Sequence, residues 1–356
     1  MKREYFKAAL AAVLAVAAAF SVCGCGDQSS SAAATTKAAE EISSTTTETT
    51  TQTTTEKETT SSTTKAATQK PKTNKTSSGN SGGSSYSADA TELYLKKFSS
   101  VPSSGTVTGG SVSVGQNILI NNDYAYDFSQ DTDFIYFSDL SGRKFNVMFA
   151  DLDVDRFTGY EFNLMTKAFK SIYPDEYLGV CSGFRTYKTQ KRNFDNSVAK
   201  VGEKETLKWY TRPGYSEHHT GYAIDFNTDS YGSKAFTGKG NQSWFRKNCH
   251  KYGFIHRYTA AKQSITGINP EAWHFRQVGI PHADYIMKND ICYEEYISLL
   301  KSHGYDSPIK VTPDAGGTYY IWYQAGKKGT SINVSGYSKY YCSGNNVDGF
   351  IITAIK

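Results

Sequence analysis

The sequence has no Cys-x-x-Cys pair among its six cysteines, so a thiolate metal site of the paired kind is excluded. It has no apolar run of the length a membrane-crossing helix needs; the longest, Ala8–Phe20, is about thirteen residues. It has no internal repeat, and no basic cluster or basic helix to set beside its net charge of +5. Nucleic acid is therefore not an expected partner. The stretch from residue 26 to 87 has almost nothing apolar to bury, and such a segment cannot offset its chain entropy by building a core.

What is present follows in chain order. Met1-Lys2-Arg3 and the Ala8–Phe20 run have the form of a signal peptide, and Val22-Cys23-Gly24-Cys25 ends it with small residues before a cysteine. Residues 1–25 thus read as a lipoprotein signal with a lipobox, in which Cys25 carries the lipid and the protein is held at the outer face of the membrane. Residues 26–87, dominated by Ser and Thr and finishing in Gly-Ser, read as a disordered tether spanning roughly 40–45 Å on average. Residues 88–305 have the aromatic content for a real core, and residues 306–356 alternate like a small β extension.

Within the folded part the pattern predicts helices at 88–99, 158–173, 188–198, 244–252, 281–287 and 293–303. Phe162, Met165, Phe169 and Ile172 recur at helical spacing, with Thr158 and Glu161 as a capping box. Strands are expected at 111–120, 177–180, 223–226, 254–258 and 273–276, with 134–137 and 145–149 joined as a hairpin through Asp139–Gly142. Cys181, Cys249, Cys292 and Cys342 allow three full disulfide pairings, and Cys181 reads as a buried thiol.

The chemistry concentrates in two segments. Pro213–Asp225 holds His218, His219 and Asp225 around a Thr-Gly turn; Glu271-Ala272-Trp273-His274 follows about fifty residues later. Two imidazoles and a carboxylate make a three-ligand metal shell with an open position, and a further carboxylate supplies a base. His218, Asp225 and His274 are the candidate ligands, with His219 a one-residue alternative to His218. Glu271 is the candidate base, with an ion pair to Arg276 as its plainer role. Arg185, on the turn after a strand, is the candidate cation for a developing oxyanion.

Ser216-x-His218-x-x-Gly221-x-Ala223-x-Asp225 followed by Glu271-x-Trp273-His274 resembles the VanY-type D-alanyl-D-alanine carboxypeptidase family of zinc peptidases. Ser182-Gly183-Phe184-Arg185-Thr186 with Gln190, Tyr252–Tyr258 and Ile265-Thr266-Gly267 extend the resemblance over residues 118–305. It implies an α+β fold with a central, mostly antiparallel sheet flanked by helices. It implies zinc on His218, Asp225 and His274, Glu271 as general base, Arg185 steadying the carbonyl oxygen, and Ser216 and Gln190 near the substrate. The substrate implied is the peptidoglycan stem peptide, losing its terminal D-alanine. An L,D-carboxypeptidase, an endopeptidase on cross-links and a non-catalytic wall-binding protein are the other readings. The chain departs from the family's aromatic-Glu-Pro-Trp-His run: Pro270 stands before Glu271 and Ala272 after it.

Overall fold

The computed structural model describes residues 81–227 and 236–356. The signal and lipobox reading, Cys25 included, and most of the tether reading lie outside these residues. Among the described residues no helix is long and apolar enough to cross a membrane.

The central sheet has five strands in the order Asn146–Val147, Gly179–Ser182, Ala223–Asn227, Glu271–Gln277, Phe254–Tyr258. The first pair is parallel and the other three are antiparallel, as the mostly antiparallel expectation has it. Helix Arg156–Ile172 lies against this sheet. Phe162, Met165 and Phe169 bury the face their spacing defines, packing with Phe226, Phe245, Phe254 and Phe275. Its cap is Asp155, whose carboxylate accepts from the Thr158 amide, rather than Thr158 itself. Glu161 instead turns inward, fully buried, to accept a hydrogen bond from the Gln277 amide.

Three other readings change. The helix expected at 88–99 begins at Ser81 and ends at Leu95, so the last residues assigned to the tether are helical. Packing overrides the weak helix preference of Ser and Gly here, because Tyr86 rests on the core and Ser87 is buried. The 134–137 and 145–149 segments do not form a hairpin. Phe134–Tyr136 pairs with Asp153–Asp155, and Asn146–Val147 pairs with Gly179–Val180. Residues 111–120 are irregular although Ile118, Leu119 and Ile120 are buried. The carbonyls of Gln116 and Ile118 are taken by the Arg276 guanidinium in place of a neighbouring strand.

The C-terminal residues form a second, wholly antiparallel sheet in the order Ser99–Ser100, Lys339–Gly344, Gly349–Ile355, Tyr319–Ala325, Ile309–Val311. One face packs on helices Ile280–Lys288 and Tyr293–Leu300, where Ile309, Ile321 and Ile351 join Ala283, Tyr296 and Ile297. Tyr319 reaches the main core beside Tyr94. Among the described residues no disulfide links Cys181, Cys249, Cys292 and Cys342, and Cys181 is half-buried rather than buried.

Because the two sheets share packed residues, Ile321→Ala is expected to cost about 2–5 kcal/mol. It should lower the midpoint of one cooperative urea transition seen by both tryptophan fluorescence and far-UV circular dichroism. Two separated transitions would show that the C-terminal sheet unfolds by itself.

Candidate active site

Two of the candidate ligands come from facing strands. Asp225 and His274 are direct partners across the antiparallel Ala223–Asn227 and Glu271–Gln277 strands, so their side chains leave the same face of the sheet. The third comes from the helical turn Glu217–Thr220, capped by the Ser216 hydroxyl on the His218 amide. Gly221 closes that turn at φ +73°, and a Cβ there would lie 2.8 Å from the Phe134 ring and 2.9 Å from the Asp155 amide. The motif glycine is therefore required both by backbone conformation and by space.

Glu271 and His274 are three residues apart on one strand, a spacing that normally puts side chains on opposite faces. A bulge resolves this. From His256 to Tyr258 the partner strand advances two residues, while from Phe275 to Glu271 this strand advances four. Within this irregular stretch the alternation breaks down, and Glu271 stands on the metal side, its Oε2 3.6 Å from His274 Nδ1. A second irregularity, between Val180 and Ser182, sets Ser182 opposite Asp225.

The ligand atoms converge. His218 Nε2 is 3.1 Å from Asp225 Oδ2, and His274 Nδ1 is 3.0 Å from Asp225 Oδ1. Yet Asp225 Oδ1 is buried without a hydrogen-bond partner, so it has the distance but not the direction of a bond to His274. Groups aimed past each other at a common point, all within 4.8 Å, fit a metal ion. The far ring nitrogens are fixed as metal-binding imidazoles require. His218 Nδ1–H donates to the Gly183 carbonyl at 2.7 Å, and His274 Nε2–H donates to Glu217 Oε2 at 3.1 Å. His219 does not face this point. Its Nδ1–H donates to the Arg185 carbonyl at 2.6 Å and its Nε2 accepts from the Gly214 amide, so it ties the His-bearing loop to the Arg185 segment. His218, not His219, therefore stands with Asp225 and His274.

Glu217 is the residue the sequence reading missed. It is buried and meets Arg257 Nε at 2.8 Å and Arg276 Nη1 at 3.4 Å. Arg257 in turn makes a two-pronged pair with Glu294 at 2.9 and 2.6 Å. Arg276 is thus engaged by Glu217, and not by Glu271 as the plainer reading had it. The only sequence signal was an acid next to a candidate ligand.

Charge follows from this wiring. Burial works to raise the Glu217 pKa, but the two guanidiniums outweigh it and hold the carboxyl well below the usual range. Burial lowers the His274 pKa, while the Asp225 and Glu217 carboxylates on either side more than reverse this, pushing it up to about 10. His218 is lowered, by burial and then by Arg185. Burial raises Glu271 to about 8, against the opposing pull of His274.

Arg185 lines the same cavity, with Trp209, Tyr210, Tyr258, Glu271 and Trp273 around it. Its Nη1 donates to Gln190 Oε1 at 2.9 Å and its Nη2 to Ser182 Oγ at 2.8 Å; Asp225 Oδ2 lies 3.8 Å from it. Gln190 is buried at the edge of the cavity, and its amide also donates to the Thr211 carbonyl, so both ends of that side chain are engaged. Ser216 lines the cavity as well.

Two outcomes follow for metal binding. A cation on His274 Nδ1 must displace a proton, so apparent affinity should rise with pH, about tenfold per unit while that proton remains bound. Calorimetric titration with zinc between pH 5.5 and 7.5 would register this, and a flat profile would contradict it. Glu217→Gln, which keeps the shape but removes the charge behind His274, should weaken metal binding about 10–100-fold. An unchanged affinity would separate Glu217 from the site.

A family model described as VanY, D-alanyl-D-alanine carboxypeptidase, matches residues 158–280. The D-alanyl-D-alanine carboxypeptidase of Enterococcus faecium is 38% identical over 164 residues, 46% of this chain and 51% of that protein. The bifunctional D-Ala-D-Ala dipeptidase and D-Ala-D-Ala carboxypeptidase VanXYC of Enterococcus gallinarum is 39% identical over 123 residues, 33% of this chain and 65% of that one. The chain thus spans between about half and two thirds of the length of these curated relatives. Among solved structures, the vancomycin resistance D,D-dipeptidase VanXYg in complex with a D-Ala-D-Ala phosphinate analog is 28% identical with a TM-score of 0.63, covering 70% of this chain and 98% of that one. Residues 158–280, which carry all three candidate ligands, Glu271 and Arg185, are thus the part of this chain that matches the VanY family of D-alanyl-D-alanine carboxypeptidases.

Proposed function

We propose that this protein is a zinc peptidase that removes the terminal D-alanine from peptidoglycan stem peptides. One observation carries the reading: Glu271, a buried carboxylate with its pKa raised, stands 3.6 Å from His274 in the cavity that also holds His218, Asp225 and Arg185. Two imidazoles and one carboxylate with an open side suit zinc. When bound, zinc would polarise the scissile carbonyl and make the attacking water acidic near neutral pH.

The chain's own groups do the rest. Glu271 takes the proton of the attacking water on a carboxylate oxygen and returns it to the nitrogen of the departing D-alanine. The Arg185 guanidinium, held in place by Gln190 and Ser182, faces the negative charge that develops on the carbonyl oxygen. His218 and His274 donate through the opposite ring nitrogen, which aims His218 Nε2 and His274 Nδ1 at the metal point, the latter giving up its proton when a cation binds. Ser216 and Gln190 lie where a substrate would pass, though Gln190 serves first to position Arg185. Trp209, Tyr210 and Trp273 wall the cavity and would exclude water.

The N-terminal pattern supports an extracytoplasmic protein, anchored by a lipid on Cys25 and reaching the wall through the Ser/Thr-rich tether. The relatives, D-alanyl-D-alanine carboxypeptidases and a D,D-dipeptidase by name, support the same substrate class.

Incubation of zinc-loaded protein with stem pentapeptide and tetrapeptide, read by mass, tests this. The pentapeptide should lose one alanine and the tetrapeptide should remain. Cleavage of the tetrapeptide alone would transfer the reading to an L,D-carboxypeptidase, and no cleavage of either would remove it. Glu271→Gln should retain zinc while kcat falls about 10²–10⁴-fold. In the wild type, kcat/KM should decline toward acid pH as Glu271 takes up a proton. If Glu271→Gln sheds its zinc, Glu271 is a ligand and the base lies elsewhere.

A further inference from the structure

A second set of metal-type side chains lies away from the active site and is used by nothing described so far. His250 belongs to the turn Cys249–Tyr252, Asp284 to helix Ile280–Lys288, and Asp314 to the loop between strands Ile309–Val311 and Tyr319–Ala325. One donor atom from each can be chosen so that all three lie within 4.8 Å.

The histidine is the informative member. It is only 7% exposed, and neither of its ring nitrogens makes a hydrogen bond. A buried imidazole whose nitrogens lack a well-directed hydrogen bond is costly. Its Nε2 lies 3.5 Å from Asp314 Oδ2 and 4.0 Å from Asp284 Oδ1. Two ligands bound at about 2.0–2.1 Å to one tetrahedral ion sit about 3.3 Å apart, so a small inward adjustment completes the shell. Asp284 is buried and Asp314 is exposed, which gives the site one fixed wall and one entry side.

The present counter-charge is Lys288. Its ammonium lies 2.9 Å from Asp284 Oδ1 and 2.8 Å from Asp314 Oδ1. It satisfies the carboxylates but leaves His250 unserved, because an ammonium has no lone pair to accept from an imidazole and no spare geometry to reach it. A divalent ion would serve all three groups at once, and Lys288 has the length and the exposure to swing into solvent.

We propose that His250, Asp284 and Asp314 form a second binding site for a divalent ion of the zinc class. Bound there, the ion would staple the turn before strand Phe254–Tyr258 and helix Ile280–Lys288 to the hairpin loop of the C-terminal sheet. The imidazole selects for zinc, cobalt or nickel over calcium and magnesium, which prefer shells of oxygen alone. The role is structural: the three ligands come from three separate elements, and none lines the catalytic cavity.

The test is calorimetric titration of the full chain, stripped of metal with chelator, using zinc as the probe. The wild type should bind two equivalents. His250→Gln and Asp314→Asn should each lose one equivalent while stem-peptide hydrolysis in excess zinc is retained; Asp314 is exposed, so that variant is expected to fold. Lys288→Met should do the reverse and tighten the second equivalent by about tenfold or more, since it removes the competing charge. If the cluster is only an ion-pair network, Lys288→Met will gain no affinity for metal. A single equivalent in both wild type and Lys288→Met would overturn the proposal, as would a second equivalent that survives in the His250→Gln, Asp314→Asn double variant.

Discussion

The buried carboxylate of Glu217 is the interaction on which the site depends. It receives His274 Nε2–H on one oxygen and the guanidiniums of Arg257 and Arg276 on the other. Without that acceptor, His274 has no reason to present Nδ1 to the shared point, Arg276 loses its counter-charge and Arg257 loses one of its two. Glu294 closes the set by pairing with Arg257, so two acids and two guanidiniums balance below the metal face. Such a network contributes position more than stability, because the desolvation of four charges offsets much of their attraction.

The same wiring joins the site to the rest of the fold. Arg276 also holds the carbonyls of Gln116 and Ile118, and Glu294 stands in the helix that packs on the C-terminal sheet. A side chain on the ligand-bearing strand thus organises an irregular segment from far earlier in the chain. The second constraint is the bulge on the Glu271–Gln277 strand. In a regular strand Glu271 would face away from His274; the irregular stretch brings the candidate base and a candidate ligand into one cavity. Pro270, displaced relative to the common family pattern, sits immediately before this bulge. A residue without an amide hydrogen is well tolerated where ladder pairing begins.

Much of this was legible in the sequence, and the limits have physical causes. The ligands were readable because a metal site needs particular atoms, and few residue types supply them. His218 was separable from His219 only through spacing; in the structure His218 stands beside Asp225 and His274, while His219 bonds Arg185 and Gly214. The Arg156–Ile172 helix was readable from its apolar spacing, but its cap was not, since Asp155 and Thr158 are equally good candidates by type. Glu217 was invisible because its partners lie 40 and more residues away and an acid in a polar loop has no periodic signature. The mistaken hairpin has the same origin: short apolar runs such as Phe134–Tyr136 declare that they pair, not with which strand.

The central claim is that His218, Asp225 and His274 together hold one ion and leave one side of it open. X-ray absorption at the zinc edge, on protein loaded with a single equivalent, tests it most directly. The account predicts a low-coordinate shell of nitrogen and oxygen at about 2.0–2.1 Å, with the outer-shell scattering of two imidazoles and no sulfur. In Asp225→Ala that shell should be lost, not merely rearranged. Three imidazoles, a sulfur at about 2.3 Å, or an unaltered spectrum in Asp225→Ala would contradict it.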